Sequence, residues 1–129
     1  MRYLTLAEAL IIAEAVTGTD AVVLARASRV ELLDSALHAP QAGFGDEEFY
    51  PQFVDKAAVL AVRIARNHPL PDGNKRLAWQ ALTMFCALNG YSLRVEPDEA
   101  VETMLAIAAG ELDEAAVARW LGPHLGRCA

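Results

Sequence analysis

The residues most able to do chemistry stand together in the segment His68–Arg76, which reads HPLPDGNKR. It combines an imidazole, a carboxylate, a glycine and two cations. Pro69 and Pro71 forbid helix within it, because each proline fixes its own φ angle, lacks an N–H and pushes the preceding residue toward an extended conformation. The next helix is therefore expected to begin near Gly73.

A helix that begins after this loop offers a binding site for an anion. First-turn N–H groups have no acceptor within the helix and lie at the positive end of its dipole. The backbone of Gly73, Asn74 and Lys75 is therefore predicted to bind phosphate, and Arg76 adds a permanent positive charge. Glycine leaves room for a ligand to approach the backbone. Asp72 is a candidate ligand for Mg²⁺, which carboxylate, phosphate and water typically hold together.

His68 is the candidate general base. Imidazole is the side chain that ordinarily exchanges a proton near neutral pH, as proton abstraction from an attacking hydroxyl requires. Each residue also has an ordinary structural interpretation: His68 would contact the last carbonyls of a helix, and Asp72 would be an N-cap. Lys75 and Arg76 would then be solvated surface charges. The order and spacing of the whole set favour the phosphate site.

The same segment resembles the signature of the Fic/Doc family: a His, a hydrophobic residue two positions on, an acidic residue, a small residue, then Asn and a basic pair. The resemblance extends to other segments, namely Leu33–Leu37 followed by Pro40 and Gln41, the turn Gly43–Gly45, and the helix end at Asn89–Tyr91. These segments are arranged as in Doc-like (death-on-curing) toxins, which are about as long as this chain.

Two positions distinguish this chain from the adenylyl-transferring members of the family. Those proteins have Gly where this chain has Lys75, which opens the anion site to the α-phosphate, and a second Arg where it has Trp79, which binds the γ-phosphate. Doc-like proteins carry Lys, and transfer the γ-phosphoryl group of ATP to a threonine of translation elongation factor Tu. The resemblance therefore implies a kinase toxin that halts translation, using ATP and Mg²⁺. His68 would be its base, and Asp72 its metal ligand.

Two alternatives remain open. One keeps the fold but transfers a nucleotidyl group, which Lys75 and Trp79 disfavour. The other is a non-catalytic binding module on the same fold. Leu70 is the reason to consider this binding module. The family usually has Phe there, and leucine keeps the apolar anchor of the loop but fills less volume, which would loosen the loop.

The resemblance also implies two protein contacts. Gly43, Phe44 and Gly45 would belong to a flap that pairs with the backbone of the target and holds its hydroxyl residue over the active site. An ordinary surface loop with Phe44 packed in the core is an equally good interpretation. Many Fic proteins are restrained by a Ser/Thr-x-x-x-Glu-Gly/Asn helix, and this sequence has no convincing copy. Restraint is therefore expected in trans, from a Phd-like antitoxin whose own domain binds DNA.

Length and composition limit the classes of protein. A chain of 129 residues with 54% apolar and 22% charged residues is typical of one globular domain, expected here over residues 1–129. A net charge of −6 with two lysines argues against direct contact with DNA, which is expected only through the antitoxin. Cys86 and Cys128 are predicted to be reduced thiols. No apolar run approaches the roughly 18 residues of a membrane helix, so the chain is expected to be cytoplasmic.

The dominant hydrophobic period is helical, which predicts an all-α fold of about six helices with at most short β pieces. Capping boxes at Thr5–Glu8 and Ser28–Glu31 are expected to open the first two helices, which end at Gly18 and before Pro40. Further helices are predicted over about 52–67, 74–89, 97–109 and 113–121, with that at 74–89 central and buried. Extended structure is expected at 91–95, and the pair Val22-Val23 is a candidate for it.

Overall fold

The computed structural model describes residues 1–128, of which seven α-helices form the greater part. The helices are α1 (Leu6–Thr17), α2 (Ala21–Ala27), α3 (Val30–His38), α4 (Phe53–Asn67), α5 (Asn74–Leu88), α6 (Pro97–Ala108) and α7 (Glu114–Leu121). Short 3₁₀ turns follow α3 and α7, at Ala39–Gln41 and Gly122–His124. Two antiparallel strand pairs complete the structure, β1 (Gly43–Phe44) with β2 (Glu47–Glu48) and β3 (Tyr91–Leu93) with β4 (Leu125–Arg127). The predicted mostly helical fold class is confirmed.

Helix α4 lies at the centre of the fold. Every residue from Lys56 to Val62 is buried, and the helix packs against α3, α5, α6 and α7. Alanines allow neighbouring helices to approach closely, because the side chains at the contact set the distance between axes. The fully buried ones on α4 are Ala57, Ala58, Ala61 and Ala65. The C-terminal end of this enclosed helix delivers His68 to the loop, as the sequence predicts.

Helix α5 is less buried than the sequence predicts. It packs Leu77, Leu82 and Phe85 into the core, but Met84 is 44% exposed and Leu88 is 39% exposed. Apolar residues around much of the circumference of α5 therefore do not mean that it is enclosed. The central buried helix is α4, so this part of the prediction is wrong.

The predicted helix starts are right for α1 and wrong for α3. Thr5 and Glu8 form both hydrogen bonds of the capping box, and Gly18 ends α1 with a φ angle of 74°. Ser28, however, is the C-cap of α2, and Arg29 precedes α3 without a side-chain hydrogen bond to its first turn. The pattern at Ser28–Glu31 is therefore not a capping box. The helix that it was expected to open does end before Pro40.

Helix α2 is an element that the sequence analysis did not predict. Val22 and Val23, candidates for extended structure, are helical and are 61% and 54% exposed. The Asp20 carboxylate accepts a hydrogen bond from the Val22 N–H at 2.8 Å and so caps the helix. The cap and the local packing outweigh the β propensity of two valines, which depends on context.

Strand β4 returns the C-terminal segment to the end of α5. Its partner β3 lies in the predicted extended segment, but their pairing has no local signal in the sequence. Close by, the Phe53 ring stacks on Phe85, with ring centroids 5.1 Å apart, and on Tyr91, with centroids 4.4 Å apart. Such aromatic pairs contribute about 1 kcal/mol each beyond their buried area. They join α4, α5 and β3.

Both cysteines are free thiols, as predicted. Cys86 lies inside α5, where burial raises the pKa of its thiol to about 12, whereas Cys128 is exposed. No helix in residues 1–128 is both long enough and apolar enough to span a bilayer.

Candidate functional site

The loop between α4 and α5 is held closed by Asn74. The Oδ1 atom of Asn74 accepts a hydrogen bond from the Leu70 N–H at 2.8 Å, and its Nδ2 atom donates to the Leu70 carbonyl at 3.0 Å. Asn74 is 8% exposed and Leu70 is 4% exposed, so both hydrogen bonds are shielded from water. The Leu70 side chain lies in the core, which is worth about 2 kcal/mol, and is the anchor that the sequence predicts.

Arg29 holds the other end of the loop. Its guanidinium group donates a hydrogen bond to the His68 carbonyl at 2.7 Å, and its backbone N–H donates to the Pro69 carbonyl at 2.8 Å. The sequence analysis missed Arg29 as a site residue, because the expected capping box accounted for it. No local pattern in the sequence points to it, because its contact with the loop joins residues 39 positions apart.

His68 has a strained backbone and an open side chain. Its φ angle is 47°, the only positive φ angle outside glycine in residues 1–128, and this left-handed conformation costs a non-glycine residue about 1 kcal/mol. Strained residues of this kind cluster at functional sites. The imidazole is exposed and makes no hydrogen bond to any residue that the structure describes. The structural interpretation, in which His68 contacts the last carbonyls of α4, is therefore wrong.

Helix α5 begins with an open first turn. Gly73 is its N-cap, with a φ angle of 85°, and no side-chain cap closes this end of the helix. The Asp72 side chain is 95% exposed, so the interpretation of Asp72 as an ordinary N-cap is wrong. The first-turn N–H groups, including those of Asn74 and Lys75, are therefore free of side-chain acceptors within the described residues. This is what an anion site at a helix start requires.

Gly73 leaves no space for a side chain. A Cβ atom there would lie 2.9 Å from the Cγ2 atom of Thr17 and 3.2 Å from the Nη2 atom of Arg76. Thr17 itself is fixed, because its hydroxyl donates to the Ala13 carbonyl at 2.7 Å. The glycine is thus required both by its φ angle and by the close approach of α1.

Arg76 lies beside the start of α5 and is tied to α1. Its Nη1 atom donates to the Val16 carbonyl at 2.7 Å, and its Nη2 atom lies 3.9 Å from the Asp72 carboxylate. The Arg76 side chain is still 60% exposed, so a ligand can reach it. An exposed ion pair of this length is worth at most about 1 kcal/mol, which leaves both groups available to a ligand.

The predicted residues border two cavities rather than one. The smaller, of about 290 Å³, is lined by His68 and Asn74 together with Arg29 and the loop. The larger, of about 560 Å³, begins at Lys75 and Arg76 and continues along α5 between α1 and α6. Asp72, Gly73 and the predicted flap residues line neither cavity. The start of α5 contributes residues to both.

The predicted flap is the hairpin of β1 and β2. Gly43 pairs with Glu48 and Phe44 with Glu47, and Gly45 turns the chain with a φ angle of 62°. The Phe44 side chain is 83% exposed, so the interpretation that packs it in the core is wrong. Both strands of the hairpin are exposed, and an exposed strand edge can pair with a segment of another protein.

A metal site made by protein ligands alone does not occur in the described residues, which include no cluster of three or more His, Cys, Asp or Glu suited to it. Asp72 offers one exposed carboxylate beside the start of α5. That fits Mg²⁺, which keeps several waters and is commonly held by one or two carboxylates together with substrate phosphates. A Mg²⁺ ion held by Asp72 would therefore need further ligands from outside the described residues, such as phosphate oxygens.

Comparisons with known proteins match a part of the chain that includes this loop. Residues 3–86 match the Fic/DOC family, and this range contains α1 to α4, the loop and most of α5. The protein described as Toxin Doc from Mycolicibacterium smegmatis (strain ATCC 700084 / mc(2)155) is 43% identical over 84 residues, which cover 64% of this chain. The match covers 65% of that relative, slightly less than two thirds of its length.

Replacing Asn74 by Ala is expected to lower the free energy of unfolding by about 3 kcal/mol, because the buried N–H and carbonyl of Leu70 would both lose their partners. Urea unfolding measures this change. Lys75→Ala is the matched control at the next, exposed position and should change stability by no more than about 0.5 kcal/mol. Equal stability of the two variants would contradict the role given to Asn74.

Proposed function

Because the chain belongs to the Fic/DOC family, we propose that it is the toxin of a toxin–antitoxin pair and a kinase of a translation protein. It would transfer the γ-phosphoryl group of ATP to a threonine of a target such as elongation factor Tu, and so halt translation. The name of the relative supports the toxin assignment. The observation that carries the chemistry is the open first turn of α5, flanked by Arg76 and by His68.

The phosphates are proposed to bind at the first turn of α5. Catalysis of phosphoryl transfer depends mainly on positioning the reactants and on stabilising the negative charge of the phosphates. The N–H groups of Gly73, Asn74 and Lys75 would supply hydrogen bonds, and the guanidinium group of Arg76 would supply charge. Mg²⁺, held by Asp72 and phosphate oxygens, would neutralise further negative charge. Arg76 is already fixed in place by the Val16 carbonyl, so little conformational entropy is lost when it binds.

His68 is proposed to accept the proton of the target hydroxyl. The hydroxyl oxygen forms a bond to the γ-phosphorus as the bond from that phosphorus to the β-phosphate oxygen breaks, and ADP leaves. The proton then passes from the imidazole to solvent. The exposed ring of His68 can reach a protein substrate, while the hydrogen bond from Arg29 fixes the backbone that carries it.

Lys75 and Trp79 favour phosphoryl over nucleotidyl transfer. Lys75 adds an exposed cation in the first turn of α5, and the half-buried indole of Trp79 lies one turn further along the larger cavity. The adenylyl-transferring relatives have glycine and arginine at these two positions. The chain therefore lacks the pair of features that places an α-phosphate at the reaction centre.

A Phd-like antitoxin is proposed to restrain the toxin by folding a C-terminal segment into the larger cavity. Most residues lining this cavity are apolar, and Val101 and Leu105 on α6 are 59% and 50% exposed. Lys75 and Arg76 lie among its lining residues. These features suit an amphipathic helix with apolar anchors and an acidic residue near the two cations. Contact with DNA would come only through the antitoxin.

The phosphoryl-transfer proposal is tested with elongation factor Tu, Mg²⁺ and ATP labelled on either the γ- or the α-phosphate. Label is expected on the target from the γ-phosphate only, and His68→Ala should slow the transfer by at least about 100-fold because the base is lost. His38→Ala, at an exposed histidine on α3, is the matched control and should transfer label as the wild type does.

Label from the α-phosphate would mean nucleotidyl transfer and would contradict the interpretation of Lys75. No label from either phosphate, with elongation factor Tu as the target, would reject the proposed reaction on this substrate and favour the binding module.

The antitoxin proposal predicts that Val101→Asp weakens antitoxin binding at least about tenfold, because a charge would enter an apolar interface. Calorimetry with the co-encoded antitoxin measures the affinity. Glu102→Ala, at the next and exposed position of α6, should bind as the wild type does. Equal affinity of the Val101→Asp variant would place the antitoxin on another surface.

A further inference from the structure

A buried lysine attaches the hairpin of β1 and β2 to the body of the protein. Lys56, in the first turn of α4, is only 2% exposed. Its Nζ atom donates hydrogen bonds to the Glu48 carboxylate at 2.8 Å and to the Pro40 carbonyl at 3.2 Å. It also lies over the Tyr3 ring, 5.8 Å from the centroid. One ammonium group thus joins the N-terminal segment, the turn after α3 and the hairpin.

Loss of the ion pair would cost more free energy at Lys56 than at Glu48. Lys56 lies in the interior, where an unpaired charge is costly, whereas the Glu48 side chain is 53% exposed and can be hydrated without its partner. Burial alone would lower the pKa of Lys56, but the nearby groups of Glu48 and Tyr3 raise it above its ordinary value. The lysine therefore stays charged at neutral pH and stabilises the position of the hairpin in which Glu48 meets it.

Little else holds the hairpin. All residues from Gly43 to Glu48 are exposed, and none belongs to the hydrophobic core. The two strands pair over two residues each, and the Phe49 N–H donates to the Ala42 carbonyl at 2.9 Å. Within the part of the chain that the structure describes, the Glu48 side chain is the only one in the hairpin that hydrogen-bonds to the rest of the protein. The Lys56–Glu48 contact therefore sets where the hairpin lies.

The same helix carries this anchor and the proposed base. Lys56 lies near the start of α4 and His68 follows its end, so α4 is a rigid spacer between hairpin and loop. From Lys56 to Asn67 the helix rises by about 17 Å. About five residues of an extended target segment span that distance.

We propose that Lys56 is a positioning residue for the target protein. By holding Glu48 it fixes the hairpin at a set distance from His68, and a strand of the target that pairs with the hairpin then brings its hydroxyl to the base. This inference rests on the proposed function and on the predicted role of the hairpin as the target-docking flap. Loss of the contact should affect binding of the target and leave binding of the nucleotide unchanged.

Four variants separate this role from a merely structural one. Lys56→Met keeps the length and apolar stem of the side chain, Glu48→Ala changes only an exposed residue, and a third variant combines the two substitutions. Glu111→Ala is the matched control, since this exposed acid lies outside the hairpin and both cavities and forms no ion pair in the described residues. The measurements are amide hydrogen exchange at Phe49 and steady-state transfer to the target.

Lys56→Met and Glu48→Ala should each speed exchange at Phe49 and raise the KM for the target about tenfold, with kcat and the affinity for ATP little changed. The double variant should show no larger effect than the stronger single variant, because both substitutions remove one contact. Glu111→Ala should match the wild type.

Wild-type exchange and KM in Glu48→Ala would overturn the proposal, as would single effects that multiply in the double variant. If Lys56→Met does not fold, the comparison of Glu48→Ala with Glu111→Ala decides. If the wild type modifies no target, the proposed function fails on its own. Amide exchange at Phe49 then still tests whether the Lys56–Glu48 contact anchors the hairpin. Faster exchange in Glu48→Ala supports the anchor, and unchanged exchange overturns it.

Discussion

The pairing of the Asn74 side chain with the backbone of Leu70 is the interaction on which the rest of the site depends. A loop with two prolines cannot satisfy its own backbone groups, and this loop must also join the enclosed helix α4 to the start of α5. Asn74, the first residue of α5, pairs its side chain with the N–H and the carbonyl of Leu70. It thereby satisfies backbone groups of the loop and ties the loop to α5. Because its side chain reaches back into the loop and Gly73 has none, the N–H groups of the first turn remain open to an anion.

The enclosed helix α4 gives the site its second constraint. Its end cannot shift without disturbing the core, so His68 leaves it in a left-handed conformation that Arg29 stabilises through the carbonyl oxygen. The same rigidity reaches the other end of α4, where Lys56 holds the hairpin through Glu48. The fold therefore presents the proposed base, the proposed phosphate site and the proposed docking strand from one packed unit.

Local signals explain what the sequence predicts well. The prolines of the loop set the end of α4 and the start of α5, and Thr5 caps α1 through residues three positions away. Contacts between distant segments leave no such pattern. The bond from Arg29 to His68 joins residues 39 positions apart, and only the packing of several helices decides that Phe44 is exposed and that Lys56 is buried. The ends of the loop are therefore predictable from sequence, but the contacts that support it are not.

The central claim is that the first turn of α5 binds phosphate with the help of Arg76. Isothermal titration calorimetry with ATP and Mg²⁺ tests it directly, on the wild type and on Arg76→Ala, with Arg26→Ala as a control at an exposed arginine outside both cavities. The account predicts binding by the wild type and the control, and at least about tenfold weaker binding by Arg76→Ala, because a charge-assisted hydrogen bond is lost. No binding by the wild type, or equal binding by Arg76→Ala, would contradict it.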